Sequence, residues 1–147
     1  QKIDAYKILL MNGADPYAEY EDGESLLNKA ARRMDPVYLS VLIHNGIDCN
    51  SYDKNGKTPL ICGVEEYADE SVRLLLGCKA LVNLSSKKDK KTPLHYAVLR
   101  NNKSIVQLLL KYKADVSLKD NDGLTPAAYA EKFGFLEILK LIKDVSK

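Results

Sequence analysis

Tryptophan is absent from this 147-residue chain, and histidine, methionine and phenylalanine occur only twice each. Two histidines, His44 and His95, leave little material for the acid–base and nucleophilic schemes that rely most often on imidazole. Cysteine is scarce too. Cys49, Cys62 and Cys78 leave at least one thiol unpaired in any disulfide scheme, and none stands in a Cys-x-x-Cys pair. That usage points away from a disulfide framework or a zinc site and fits a reducing, intracellular setting. Long apolar runs are missing. Leu74-Leu75-Leu76 and Leu108-Leu109-Leu110 are typical, far below the roughly 20 residues of a membrane span, so no membrane insertion is expected. Nor does one sign of charge dominate, because 22 Lys+Arg face 20 Asp+Glu. Wholesale attraction to nucleic acid or anionic membrane is excluded, and any such contact would be local. There is no glycine-rich phosphate loop, and the opening residues do not read as a secretory leader. The cytoplasm is the expected compartment, with the nucleus as the alternative.

What the chain does have is 46% hydrophobic and 29% charged residues, the balance of one domain with a buried core. It also repeats itself. Asn12-Gly13-Ala14-Asp15, Asn45-Gly46-Ile47-Asp48, Cys78-Lys79-Ala80-Leu81 and Tyr112-Lys113-Ala114-Asp115 follow one another at steps of 33, 33 and 34 residues. A second ladder runs Gly23-Glu24-Ser25-Leu26, Gly56-Lys57-Thr58-Pro59, Lys90-Lys91-Thr92-Pro93 and Gly123-Leu124-Thr125-Pro126, with its Ser/Thr positions 33, 34 and 33 apart. A third is apolar: Ile8-Leu9-Leu10, Val41-Leu42-Ile43, Leu74-Leu75-Leu76, Leu108-Leu109-Leu110 and Leu141-Ile142 hold matching places. Repeats of this length determine architecture before any single helix does.

Each unit has a physical reading. In Lys91-Thr92-Pro93-Leu94-His95-Tyr96-Ala97 the threonine is a good N-cap, and proline takes the first helical position, where its missing N–H costs nothing. About ten residues later Ile105-Val106 and Leu108-Leu109-Leu110 form the buried stripe of a second helix. Asp53-Lys54-Asn55-Gly56 and Asp120-Asn121-Asp122-Gly123 carry the turn chemistry that joins one unit to the next. Two helices of this size cannot cover each other's apolar faces, so neighbouring units must stack.

These residues resemble the ankyrin repeat family, whose unit of about 33 residues opens a helix with Thr-Pro-Leu-His-x-Ala and leaves the pair through Gly-Ala-Asp. The resemblance implies an all-α solenoid of helix-turn-helix units joined by β-hairpin-like loops, as one domain over 1–147. The expected units are a partial repeat at 1–21, repeats at 22–52, 53–84 and 85–118, and a C-terminal capping repeat at 119–147. Gln1 to Leu10 read as the second helix of a repeat that began upstream. The motif histidine ties a helix to the neighbouring loop in this family, and among these units only His95 keeps it. The other helix starts read Ser-Leu-Leu-Asn-Lys-Ala at 25–30, Thr-Pro-Leu-Ile-Cys-Gly at 58–63 and Thr-Pro-Ala-Ala-Tyr-Ala at 125–130. Their loops are expected to be less rigid. Two further departures stand out. The loop over 84–91 has one extra residue and puts Lys90 where Gly23, Gly56 and Gly123 stand, which predicts a reshaped finger. Leu81 replaces the aspartate found at Asp15, Asp48 and Asp115, removing a loop cap.

The resemblance implies a non-catalytic module that binds another protein, folded or extended, as adaptor, inhibitor or scaffold, and that is a monomer on its own. No cofactor or metal is expected. Asp120-Asn121-Asp122-Gly123 has the opening of a calcium loop, but Tyr129 stands where the closing glutamate belongs. Carried over position by position, the family's variable concave surface falls on Glu21, Asp22, Glu24, Arg32 and Arg33, then Tyr52, Lys54, Asn55, Lys57, Glu65 and Glu66. It continues through Ser85, Lys88, Asp89, Lys91, Leu99 and Arg100 to Lys119, Asn121, Asp122, Leu124, Lys132 and Phe133. Tyr52, Leu99 and Phe133 are the expected anchors, since apolar side chains within a polar rim dominate binding energy. Charge reversal at Arg32, Glu66 or Arg100 is expected to spare folding. Two other functions stay open: a targeting segment of a larger enzyme, channel or pathogen effector, and a nucleic-acid contact through the Lys87–Lys91 loop.

Overall fold

The computed structural model describes residues 12, 13, 15, 21–33 and 36–145. The partial unit expected at 1–21 therefore lies outside the described residues, apart from Asn12, Gly13, Asp15 and Glu21. Eight helices are found among the described residues, in four consecutive pairs. They are α1 (Leu26–Arg32) with α2 (Pro36–His44), α3 (Pro59–Glu65) with α4 (Asp69–Gly77), α5 (Pro93–Leu99) with α6 (Lys103–Lys111), and α7 (Pro126–Phe133) with α8 (Leu136–Val145). The first helix of every pair starts for one local reason. Ser25, Thr58, Thr92 and Thr125 each sit in extended backbone and accept the N–H of the residue three positions on, satisfying a donor the helix leaves orphaned. Three of the four follow with proline.

The pairs stack in chain order. First helices pack on first helices (α1 on α3, α3 on α5, α5 on α7) and second helices on second helices (α2 on α4, α4 on α6, α6 on α8). The core is correspondingly long. Leu27, Leu39, Leu42, Leu60, Leu75, Leu94, Ile105, Leu109, Ile138 and Ile142 are its largest fully buried aliphatic side chains, together with Ile61. Small residues set how near the helices approach. Ala30, Ala97 and Ala130 are fully buried in their units, and Gly63 replaces them in α3, where an added Cβ would stand 3.3 Å from Val72 Cγ2.

The fingers between units contain no strand among the described residues. They are tight turns, each closed by a backbone bond across its base (Asp53 N–H to Lys57 O, Ser86 N–H to Lys91 O and Asp120 N–H to Leu124 O) and by a second within the turn (Gly56 N–H to Asp53 O, Lys90 N–H to Ser86 O and Gly123 N–H to Asp120 O). The finger over 86–91 absorbs its extra residue by putting Ser86 in place of the basal aspartate, with Lys90 held at φ 61°. Lys79 (φ 68°) and Lys113 (φ 65°) likewise keep the left-handed backbone that Gly46 (φ 81°) adopts at the same place in its unit. Each such lysine costs about 1 kcal/mol, so geometry persists where the glycine motif is lost. Gly56 has less choice, because at φ 73° an added Cβ would stand only 2.9 Å from Lys87 Cβ in the next finger.

Leu75 and Leu109 are fully buried in successive second helices. Truncating either to alanine is expected to cost about 2–5 kcal/mol through the cavity left behind. Urea denaturation measures it, and a midpoint shift no larger than that of an exposed substitution such as Lys111→Ala would show that these helices do not face the shared core.

Candidate functional site

The fingers and first helices form one continuous face, and backbone bonds hold its fingers in register. Lys54 N–H donates to Gly23 O (3.1 Å), Lys87 N–H to Gly56 O (2.9 Å) and Asn121 N–H to Asp89 O (2.9 Å). Side-chain amides reinforce two of these steps, Asn55 donating to Asp22 O and Asn121 to Lys88 O. First helices are tied to the next finger as well. The Thr92 N–H donates to His95 Nδ1, which leaves the ring proton on Nε2 to donate to Leu124 O at 3.0 Å. Asn28 stands at the corresponding place in α1 and makes the same tie, its amide donating to Lys57 O (3.1 Å) and to Asp53 Oδ2 (2.8 Å). The expectation that only His95 could rigidify a loop is therefore corrected. An amide long enough to reach the same carbonyl replaces the imidazole.

The 23 candidate residues divide by exposure. Glu21, Asp22, Arg33, Lys54, Glu66, Lys88, Arg100, Lys119, Asn121, Asp122, Lys132 and Phe133 are exposed. Glu24, Arg32, Tyr52, Asn55, Lys57, Ser85, Asp89, Lys91, Leu99 and Leu124 are half-buried, and Glu65 is buried. Two of the three expected anchors are engaged already. The Tyr52 hydroxyl donates to Ser85 O at 2.8 Å while Lys87 Nζ lies 4.4 Å from its ring centre, and Leu99 packs against the core. Phe133 alone presents an open apolar surface, 49% exposed, with its ring stacked between those of Tyr129 and Phe135.

Arg32 is likewise not a spare surface charge, which corrects the expectation that its reversal spares folding. Its guanidinium meets Glu24 at 2.8 Å, Glu66 at 2.6 Å and Glu65 at 3.5 Å, and Lys57 Nζ closes on Glu65 at 2.6 Å. This half-buried cluster joins the first two units, so charge reversal at Arg32 would gather four carboxylates without a guanidinium between them. The neighbouring Cys62 thiol is pushed up to about 12 by burial, against the opposing pull of Arg32, which keeps it protonated and unreactive. Tyr96 and Tyr129 support the fingers of this face from below, a role that the sequence reading missed. They occupy the fifth position from the Thr cap, as Lys29 and Cys62 do in their units, and that fixed offset was the available signal. The Tyr96 hydroxyl donates to Asp89, and its own pKa is pushed up to about 12 by burial first and by the Asp89 charge. Tyr129 donates to Asp120 at 2.6 Å. Burial alone would raise the Asp120 pKa, but that hydroxyl, the Leu124 N–H and Lys91 outweigh it and hold it near about 2. Asp120 is thus a buried finger clamp. No group of three or more metal-ligating side chains occurs among the described residues, and no helix among them is long and apolar enough to cross a membrane.

The family model for ankyrin repeats, in three copies, matches residues 1–86 and again 65–146. The chain belongs to the ankyrin repeat family. Ankyrin repeats are in general protein-interaction modules, and the family is typically non-catalytic. Over 130 residues the chain is 32% identical to the ankyrin repeat protein FPV230 of fowlpox virus (strain NVSL), spanning 88% of itself and 69% of that protein. It is 30% identical over 127 residues to FPV024 of the same virus, and 33% identical over 123 residues to the transient receptor potential channel pyrexia of Drosophila melanogaster. Each of those matches covers 83% of the chain, but only 21% and 13% of the respective relative.

Two measurements probe this ankyrin face. Arg32→Ala is expected to lower the unfolding free energy by about 2 kcal/mol, since charge-assisted bonds in a half-buried setting are lost and acids are left behind. A urea midpoint unchanged from wild type would reduce the cluster to a surface ornament. His95 supplies a pH test. Burial lowers its folded pKa, so its contribution is fully present above the unfolded value of about 6.5 and is lost as pH falls below it, where the unfolded chain takes up the proton first. Stability measured at pH 7.5 and 5.5 should therefore drop more steeply in wild type than in His95→Gln. Equal slopes would contradict the buried, neutral imidazole.

Proposed function

We propose that this ankyrin chain is a non-catalytic protein-binding module, a monomer on its own, that holds its partner on the face built from the fingers and first helices. The observation that supports this most directly is the bonded register of the fingers. Three successive backbone bonds between them present side chains from every unit on one pre-organised surface, which lowers the ordering cost of binding a partner across several repeats. The candidate residues that remain exposed on it, above all Arg33, Arg100 and Phe133, carry the contact. A second reading is favoured by one fact: the chain matches only 13% of a channel and 21% of a viral ankyrin protein. The module would then be the targeting segment of a longer protein. The Lys87–Lys91 loop supports nucleic-acid binding poorly, because Lys91 is paired with Asp89 and Asp120 and Lys87 covers the Tyr52 ring. Lys88 and Lys90 are left.

Affinity capture tests the proposal. Proteins retained by the immobilised wild-type chain should be lost from a triple variant Arg33→Glu, Arg100→Glu, Phe133→Ser that keeps the wild-type urea midpoint. They should persist on Lys111→Glu, a change on α6 in the second-helix row. Retention by the triple variant together with loss from Lys111→Glu would place binding on the second-helix side and overturn the proposal.

A further inference from the structure

A side-chain bridge crosses the face in the first two units and is missing from the last two. Glu24 reaches Arg32 at 2.8 Å and Lys57 reaches Glu65 at 2.6 Å, each linking a finger to the last turn of the first helix eight residues later. The same places in the next units are held by Lys91 with Leu99 and by Leu124 with Lys132. No ion pair can form in either. Lys91 turns instead to Asp120, at 3.2 Å, and to Asp89. Among the described residues Lys132 meets no carboxylate, and it lies over the Phe133 ring, 5.8 Å from its centre. Arg100, Lys88, Lys90 and Lys119 are exposed on the same two units and also lack an ion pair among the described residues. Against these five cations the face offers one unpaired carboxylate, Asp122, because Asp89 is engaged by Tyr96 and Lys91, and Glu131 by Lys143. Beside them lie exposed Phe133 and half-buried Leu99 and Leu124.

We infer that fingers 86–91 and 120–124, with the last turns of α5 and α7, bind an extended acidic polypeptide segment that carries one large apolar residue. The inference rests on the protein-binding reading above and supplies its chemistry. Carboxylates of the segment meet the open cations Lys88, Arg100, Lys119 and Lys132, and the apolar residue seats on Phe133. The units stack at the spacing of packed helices, about 8–10 Å, and a segment in the polyproline II conformation advances about 3.1 Å per residue with three residues per turn, so every third side chain lies on one side. Acidic residues at every third position therefore meet one unit each. In the first two units the chain's own carboxylates already occupy the bridge cations Arg32 and Lys57, and of the repeat equivalents of Arg100 only Arg33 is an exposed cation, so the segment docks at the C-terminal half.

The probe is a fluorescein-labelled 16-residue peptide with glutamate at every third position, one central leucine and a serine–glycine background, read by fluorescence polarisation at about 50 mM salt. Its lysine counterpart and a 20-base-pair DNA duplex are the comparison arms. The acidic peptide is expected to bind, with Kd weakened roughly tenfold or more by combined Lys88→Glu, Arg100→Glu and Lys119→Glu, weakened several-fold by Phe133→Ser, and unchanged by Lys111→Glu. Circular dichroism confirms that each variant stays folded. Failure of the acidic peptide to bind, equal binding of the lysine peptide, tighter binding of the duplex, or insensitivity to the charge reversals would each overturn the inference. Phage display of random 16-residue peptides separates it from the broader proposal. Acid-rich selected peptides support the inference. Neutral or basic peptides that need Arg33 and Phe133 refute it while leaving a protein-binding face intact, and selected peptides that ignore the face refute both.

Discussion

A helix of seven residues beside one of nine has more apolar surface than the pair can hide, and this shortfall governs the whole molecule. Each unit is stable only through its neighbours, so the core is a row of interfaces to which Leu42, Leu75 and Leu109 contribute from matching places in successive second helices. The polar ties obey the same stride. Tyr52 to Ser85, Asn55 to Asp22, Tyr67 to Arg100 and Asn121 to Lys88 all join residues 33 apart, and Arg32 to Glu66 and Lys103 to Glu137 join residues 34 apart. Apolar stacking brings the units together, and these bonds fix their registration.

Such a lattice of nearest-neighbour contacts tolerates local departures. Lys79, Lys90 and Lys113 hold left-handed backbone where glycine is easier, and Tyr67 and Asn101 do so at the turns between first and second helices. Each strain is small beside the several kcal/mol of one buried leucine, so packing wins and the turn keeps its shape. The same logic explains Asn28. What the stack requires is a buried donor within reach of the next finger's carbonyl, and an amide meets that need as imidazole does.

Electrostatics divides the face more sharply than the overall charge of +2 implies. In the first two units acids and bases alternate across the finger-to-helix gap and satisfy one another. In the last two, leucines occupy one side of each gap and the cations opposite either turn elsewhere or stay open. An ion pair that closes within the chain consumes binding potential, whereas an unmatched cation at a rim steers and selects a partner. The two halves of one regular scaffold thus differ in how their charges are satisfied.

Much of this was legible in the sequence. The 33–34 residue stride, the Ser/Thr caps with proline after them, and the apolar triplets fixed the helix-pair stack and the family, because these signals depend on local hydrogen bonding and on periodicity along one helix. The reshaped finger at Lys90 was legible too, since one additional residue and a missing glycine are local facts. Exposure was not. Tyr52, Leu99 and Glu65 stand at positions that are variable and outward in the family, yet the Tyr52 hydroxyl is bonded to Ser85 and the Glu65 carboxylate paired with Arg32, each 33 positions away, and Leu99 lies against the shared core. The Glu24–Arg32 and Lys57–Glu65 bridges show the same division: their eight-residue spacing is written in the chain, but only folding a finger back over the last turn of its helix makes it a contact. Sequence determined the repeating unit; tertiary structure decided which charges are spent inside it and which remain to meet another molecule, because pairing depends on distance in space.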